Sequence, residues 1–171
     1  MLDTFLGLPV HALIVHATVV IVPAAAVAVL LAALWGRFRT WARWGPLALA
    51  IVAAVLAPLS TSSGENLQRR IGDSALIAEH SELGDMLIWW AVPVAVLAAV
   101  SYWLHIFRGG RRGRTGHNAP RGVSTLTAVL TVAVSIGMLV QVVLIGHSGA
   151  EAVWADTAAS AISTGVPEQP A

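Results

Sequence analysis

Four long apolar stretches, separated by short polar ones, constrain this chain more than any other feature. A helix needs about 20 residues, at about 1.5 Å each, to cross the hydrocarbon core of a bilayer. Windows of that size run from about 9 to 35, 44 to 64, 84 to 107 and 123 to 146. They are rich in Ala, Val, Leu and Ile, are too long for strands, and lack the period-two alternation of a barrel. Only 11% of the 171 residues are charged, against roughly 25% in soluble domains. The expected fold is an all-α integral membrane protein, a four-transmembrane-helix up-down bundle over residues 1–154. Residues 155–171, small and polar with Pro167 and Pro170, read as a disordered tail.

The charges orient the bundle. All ten basic residues are arginine. Arg37, Arg39 and Arg43 lie between spans one and two, and Arg108, Arg111, Arg112, Arg114 and Arg121 between spans three and four. Only Arg69 and Arg70 fall on the opposite side, together with all nine carboxylates. Arginine in short loops marks the cytoplasmic face, so both arginine-rich loops are expected inside and both termini outside. This is the topology of a multi-pass protein of the bacterial plasma membrane. Trp35, Trp41, Trp44, Tyr102 and Trp103 fit an aromatic belt at the inner interface. Met1–Val10 carries Asp3 and no basic residue, so the first span is expected to be retained rather than cleaved as a signal peptide.

With no cysteine, disulfides, thiolate metal sites and thiol nucleophiles are excluded. No internal repeat, nucleotide-binding loop or nucleic-acid motif stands out, and topology accounts for the basic loops. No carboxylate or arginine falls in the middle of a span, which argues against a transporter with a midplane ion site. No serine–base pair suggests a hydrolase.

The informative residues are polar groups that are costly near lipid. His16 lies two turns into span one and is expected to face the bundle interior. His11 stands five residues earlier, roughly 140° away around the helix, and reads as a rim residue. In span two only Leu47–Leu59 is fully apolar. Ser60–Ser63 therefore sit at the edge of the hydrocarbon layer and are expected to line a small polar pocket with Glu65. The start of span three adds Glu79, His80, Glu82 and Asp85, and the end of span four adds His147 and Glu151. Each has an ordinary structural explanation, such as helix capping, dipole pairing or interhelical hydrogen bonding. Together, all four spans bring a polar or ionisable group to one end of the bundle.

The pattern Leu8-Pro9-Val10-His11-x4-His16, Ser63-Gly64-Glu65-x-Leu67, His80-x3-Gly84 and Gly146-His147-Ser148-Gly149-Ala150-Glu151-Ala152-Val153-Trp154 resembles the bacterial membrane family called domain of unknown function 2231. The resemblance runs from about Leu6 to Trp154. Ala12 and Ala17-Thr18 stand where that family typically has proline and Phe-Pro, which points to an actinobacterial-like subgroup. The resemblance implies a four-helix membrane domain with histidines near one face, and no established activity. Such bundles resemble small haem b membrane cytochromes by analogy of fold.

Two readings follow. The first is a haem- or metal-binding electron-transfer subunit that is not an enzyme on its own. Its haem b ligands would be His16 and His147. A transition metal ion would instead draw on His11, His16, Glu65, His80, His147 and Glu151. The second is a cofactor-free structural or assembly subunit whose histidines join helices. Expected partners are the lipid bilayer and a membrane redox complex or a second copy, with no nucleic acid.

Overall fold

The computed structural model describes residues 4–5, 8–72, 74–110 and 121–164, with side chains over 10–70, 72, 74–106 and 122–155. The arginine-rich segment 111–120 with His117, and the end of the expected tail from 165 onward, lie outside the described residues. A short antiparallel ribbon, β1 (Thr4–Phe5) with β2 (Leu8–Pro9), leads into α1 (Val10–Leu34). There follow α2 (Gly36–Ala42), α3 (Gly45–Ile71), α4 (Ala75–Asp85), α5 (Ile88–Gly110) and α6 (Arg121–Thr164). Four helical stretches are long and apolar enough to cross a membrane: α1, α3, α4 continuing into α5, and α6.

The ends of these helices follow from local chemistry. Pro46, in the first turn of α3, lacks only an N–H that no helix carbonyl would use. Gly72 ends α3 with φ +91°, a conformation open to glycine. The Ser74 hydroxyl then caps α4 by accepting from Ile77 N–H at 3.2 Å. The third span is broken rather than continuous. Leu87 N–H bonds to Gly84 at 3.1 Å, which leaves the Leu83 carbonyl without its usual partner four residues on. The Gln141 side chain of α6 donates to that carbonyl at 2.7 Å, meeting the demand that backbone at membrane depth be satisfied.

Two expected boundaries move. Span two was expected to end near residue 64, but α3 continues to Ile71. Span four was expected to end near Gly146, with a possible break at its glycines and a disordered tail from 155. Instead α6 runs 44 residues to Thr164. Its last part is rich in alanine, the strongest helix former.

The spans pack as an up-down bundle, with α1 and α5 each lying between α3 and α6 and thus diagonal to one another. Small side chains make up much of the interior, Ala25 and Ala26 of α1, Ala50, Ala53 and Ala57 of α3, Ala91 and Ala98 of α5, around the larger buried Val22, Val94 and Met138. Larger apolar residues such as Val19, Val20, Val55, Val96 and Val143 point outward. That is the inverse of a soluble core and suits a bundle in lipid, where close backbone approach rather than apolar burial holds helices together. Gly137 is the tightest such approach, because a Cβ there would fall within the ring of Trp90.

Candidate functional site

The end of the bundle that carries His11, His80 and His147, called here the histidine end, is built from the starts of α1 and α4 and the later turns of α3 and α6. His11 lies in the first turn of α1. The buried face of α1 is set by Thr18, Val22, Ala25 and Val29, and His11 precedes Thr18 by two turns, on that same face. Its Nδ1 lies 2.9 Å from Ser63 Oγ on α3. Ser63 Oγ also lies 2.8 Å from Ser60 O; with the hydroxyl proton directed to that carbonyl, His11 Nδ1 is the donor. This assigns the Nδ1–H form to His11 and leaves Nε2 with a lone pair.

The second hairpin repeats the arrangement. His80, in α4, places Nδ1 3.0 Å from Ser148 Oγ on α6, and that hydroxyl donates to Ile145 O at 3.1 Å. The same argument makes His80 Nδ1 the donor and Nε2 the free lone pair. A glycine follows each serine, and each lies close to the histidine ring. A Cβ on Gly64 would sit 3.1 Å from His11 Cε1, and one on Gly149 would sit 3.0 Å from His80 Cε1. His11 in α1 and His80 in α4 lie at the same end of the bundle. The bundle thus contains two matching histidine–serine–glycine units, one per hairpin. The sequence reading found no repeat because the two units span 52 and 68 residues. The doubled signal that could have revealed them is Ser-Gly followed by glutamate: Ser63-Gly64-Glu65 and Ser148-Gly149-Ala150-Glu151.

The other expected site residues go elsewhere. His16, five residues beyond His11, is carried to the exposed side of α1, where its Nδ1 meets its own helix at Ala12 O, 2.6 Å away. His147 is one residue off the inward face of α6 and pairs with Glu151 at 3.4 Å, both side chains exposed. Glu65 faces outward and pairs with Arg69 at 3.2 Å, lining an open cleft with Gln68, Arg69 and Gly72 rather than with the serines. Of the serine cluster, Ser63 reaches a neighbouring helix, while Thr61 and Ser62 bond back to Ala57 and Pro58 carbonyls. Glu79, Glu82 and Asp85 are exposed on α4. His16 and His147 therefore face away from the interior instead of towards a common ligand. The six-residue metal set does not converge either: among the described residues no group of three or more His, Cys, Asp or Glu could hold a metal ion. The reason is helical geometry, since 100° per residue lets only one of His11 and His16 face the bundle.

The profile of a family described as predicted membrane protein (DUF2231) matches residues 7–161. The chain belongs to the DUF2231 family. The match takes in all four membrane-crossing stretches and both histidine–serine–glycine units of this DUF2231 protein. No curated protein and no solved structure matches the chain.

Proposed function

We propose that this DUF2231 protein is a haem- or transition-metal-binding redox subunit whose protein ligands are His11 and His80. The observation that carries this reading is the shared wiring of the two rings. Each donates Nδ1–H to a serine whose own proton is already engaged, so each Nε2 keeps its lone pair. Histidines that hold a metal characteristically donate their second nitrogen in this way, which fixes tautomer and ring orientation. Two neutral imidazoles would hold a haem b iron, or a copper, iron or zinc ion whose other ligands are exogenous. Bound iron or copper would supply one-electron transfer. The chain itself holds the rings, and its partner would be a membrane redox complex or a second copy.

The test is titration of detergent-purified protein with hemin and with Cu²⁺, followed by absorption spectroscopy and metal analysis. One ligand per chain is expected, bound more weakly in His11→Ala and in His80→Ala and with native affinity in His16→Ala and His147→Ala. Purified protein that is colourless, metal-free and takes up neither probe would overturn the reading. The two units would then be interhelical hydrogen bonds in a structural subunit.

We also propose that the arginine-rich loops face the cytoplasm, on the strength of eight of ten arginines lying on one side. With no native thiol, single cysteines report sidedness cleanly. An impermeant thiol reagent on intact cells is expected to label Thr164→Cys and not Thr115→Cys, and the opposite pattern would reverse the orientation.

A further inference from the structure

At the opposite end of the bundle, α2, the start of α3 and the end of α5 enclose a cleft of about 450 Å³. Arg39, Thr40, Arg43, Tyr102 and His105 line its polar part, and Leu47, Ala98 and Ile106 its apolar part. No carboxylate lines it. The described carboxylates Glu65, Glu79, Glu82, Asp85 and Glu151 all belong to the histidine end. Arg39 is half-buried, and its Nε is a buried donor without a hydrogen-bond partner among the described residues. Its Nη1 reaches only Ala32 O, at 3.5 Å. Arg43 stands at the C-terminus of α2 with φ +51°, the one non-glycine residue with positive φ among those described. Strained backbone of this kind persists where its surroundings impose it. Two guanidinium groups therefore flank one cleft without a protein anion to neutralise them, although a partly buried cation needs a counter-charge.

We infer that this cleft binds the phosphate of an anionic phospholipid. A phosphodiester accepts forked hydrogen bonds from guanidinium groups and a further one from a phenolic donor, and Arg39, Arg43 and Tyr102 supply that donor set, the Thr40 hydroxyl being engaged with Arg37 O at 2.9 Å. The apolar wall of Leu47, Ala98 and Ile106 favours a lipid over a soluble phosphate, because it offers the acyl chains a surface continuous with the spans. The cleft also lies at headgroup level. Trp35 stacks on Phe38 at 6.5 Å, Phe38 packs on Trp41 at 5.7 Å, and Trp41 and Trp44 are largely exposed beside it. Such aromatic residues mark the membrane interface, where basic pockets between spans bind anionic headgroups.

The test is lipid retention and thermal stability of the purified full-length chain, titrated with phosphatidylglycerol, with phosphatidylcholine and with inorganic phosphate. Phosphatidylglycerol is expected to bind about tenfold or more tightly than phosphatidylcholine, an advantage lost in the Arg39→Gln/Arg43→Gln double variant and kept in Arg69→Gln/Arg70→Gln. If the double variant does not fold, Arg43→Gln alone, at an exposed side chain, must lose at least part of the preference. Equal binding of the two lipids, or undiminished preference in the Arg39/Arg43 variants, would overturn the inference. Inorganic phosphate that stabilises the protein as well as the lipid does would overturn it too, by assigning the cleft to a soluble anion.

Discussion

At the histidine end His11 and His80 each meet a serine on a neighbouring helix, whereas at the arginine end Arg39 is half-buried with Nε unpartnered beside an open cleft. The first arrangement is closed within the protein: rings, serines and helix carbonyls hold one another in fixed tautomers, and glycines let the rings lie against the backbone. The second is open and has one sign of charge, so its complement must come from outside. Closed polar contacts between spans hold geometry, as a ligand site requires. Unpaired cations at an interface instead attract surrounding anions. One bundle can therefore carry a ligand pair at one end and a membrane-reading surface at the other.

Substituting glycines breaks this comparison most strongly. Gly137, between the two ends, admits no Cβ because the Trp90 ring occupies that space. Gly137→Ala is expected to destabilise the protein by about 3 kcal/mol, the upper part of the range for overpacking, seen as an early thermal transition in detergent. At the histidine end, Gly64→Ala and Gly149→Ala press a methyl against His11 and His80 at 3.1 and 3.0 Å. Each ring must give way by a few tenths of an ångström, against its serine bond. Each variant is expected to cost about 1–2 kcal/mol and to weaken hemin or Cu²⁺ uptake. At the arginine end, a Cβ on Gly45 would meet nothing within 4 Å. Gly45→Ala is therefore expected to be neutral or to stabilise by up to about 1 kcal/mol, the helix-propensity gain. Loss of stability at Gly45 equal to that at Gly64 would mean that the two ends are packed alike.

The serine variants sharpen the comparison at smaller magnitude. Ser63→Ala and Ser148→Ala each remove one partner of an interhelical hydrogen bond, for an expected cost of about 0.6–1.7 kcal/mol. Because the two units match, the costs should agree within error when melting is followed by tryptophan fluorescence. A large effect at one serine and none at the other would show that the hairpins are not equivalent.

Much of the architecture was legible in the sequence because hydrocarbon thickness imposes one length on every span. The same constraint says little about which face of a helix turns inward, and there the side chains fall differently from expectation. His16 looked interior by depth, yet the α1 interior follows Thr18, Val22, Ala25 and Val29, a small-residue face that includes His11. His147 drew notice within its motif, while its neighbour Ser148 is the residue that faces the bundle. Polar character marked the end where His11 and His80 meet serines of neighbouring helices, and the periodicity of alanine, serine and glycine marks the side chains that face the bundle. The break between α4 and α5 was not legible, because it depends on Gln141 from another helix satisfying the Leu83 carbonyl.

The central claim, that His11 and His80 share one ligand, is tested most directly by counting nitrogens. Pulsed electron paramagnetic resonance of the Cu²⁺-loaded protein in detergent reports each coordinated imidazole. The account predicts two coordinated imidazoles in the native chain, one in His11→Ala, one in His80→Ala, and two in His16→Ala and His147→Ala. Two imidazoles surviving in His11→Ala or His80→Ala, or a loss in His16→Ala or His147→Ala, would contradict it.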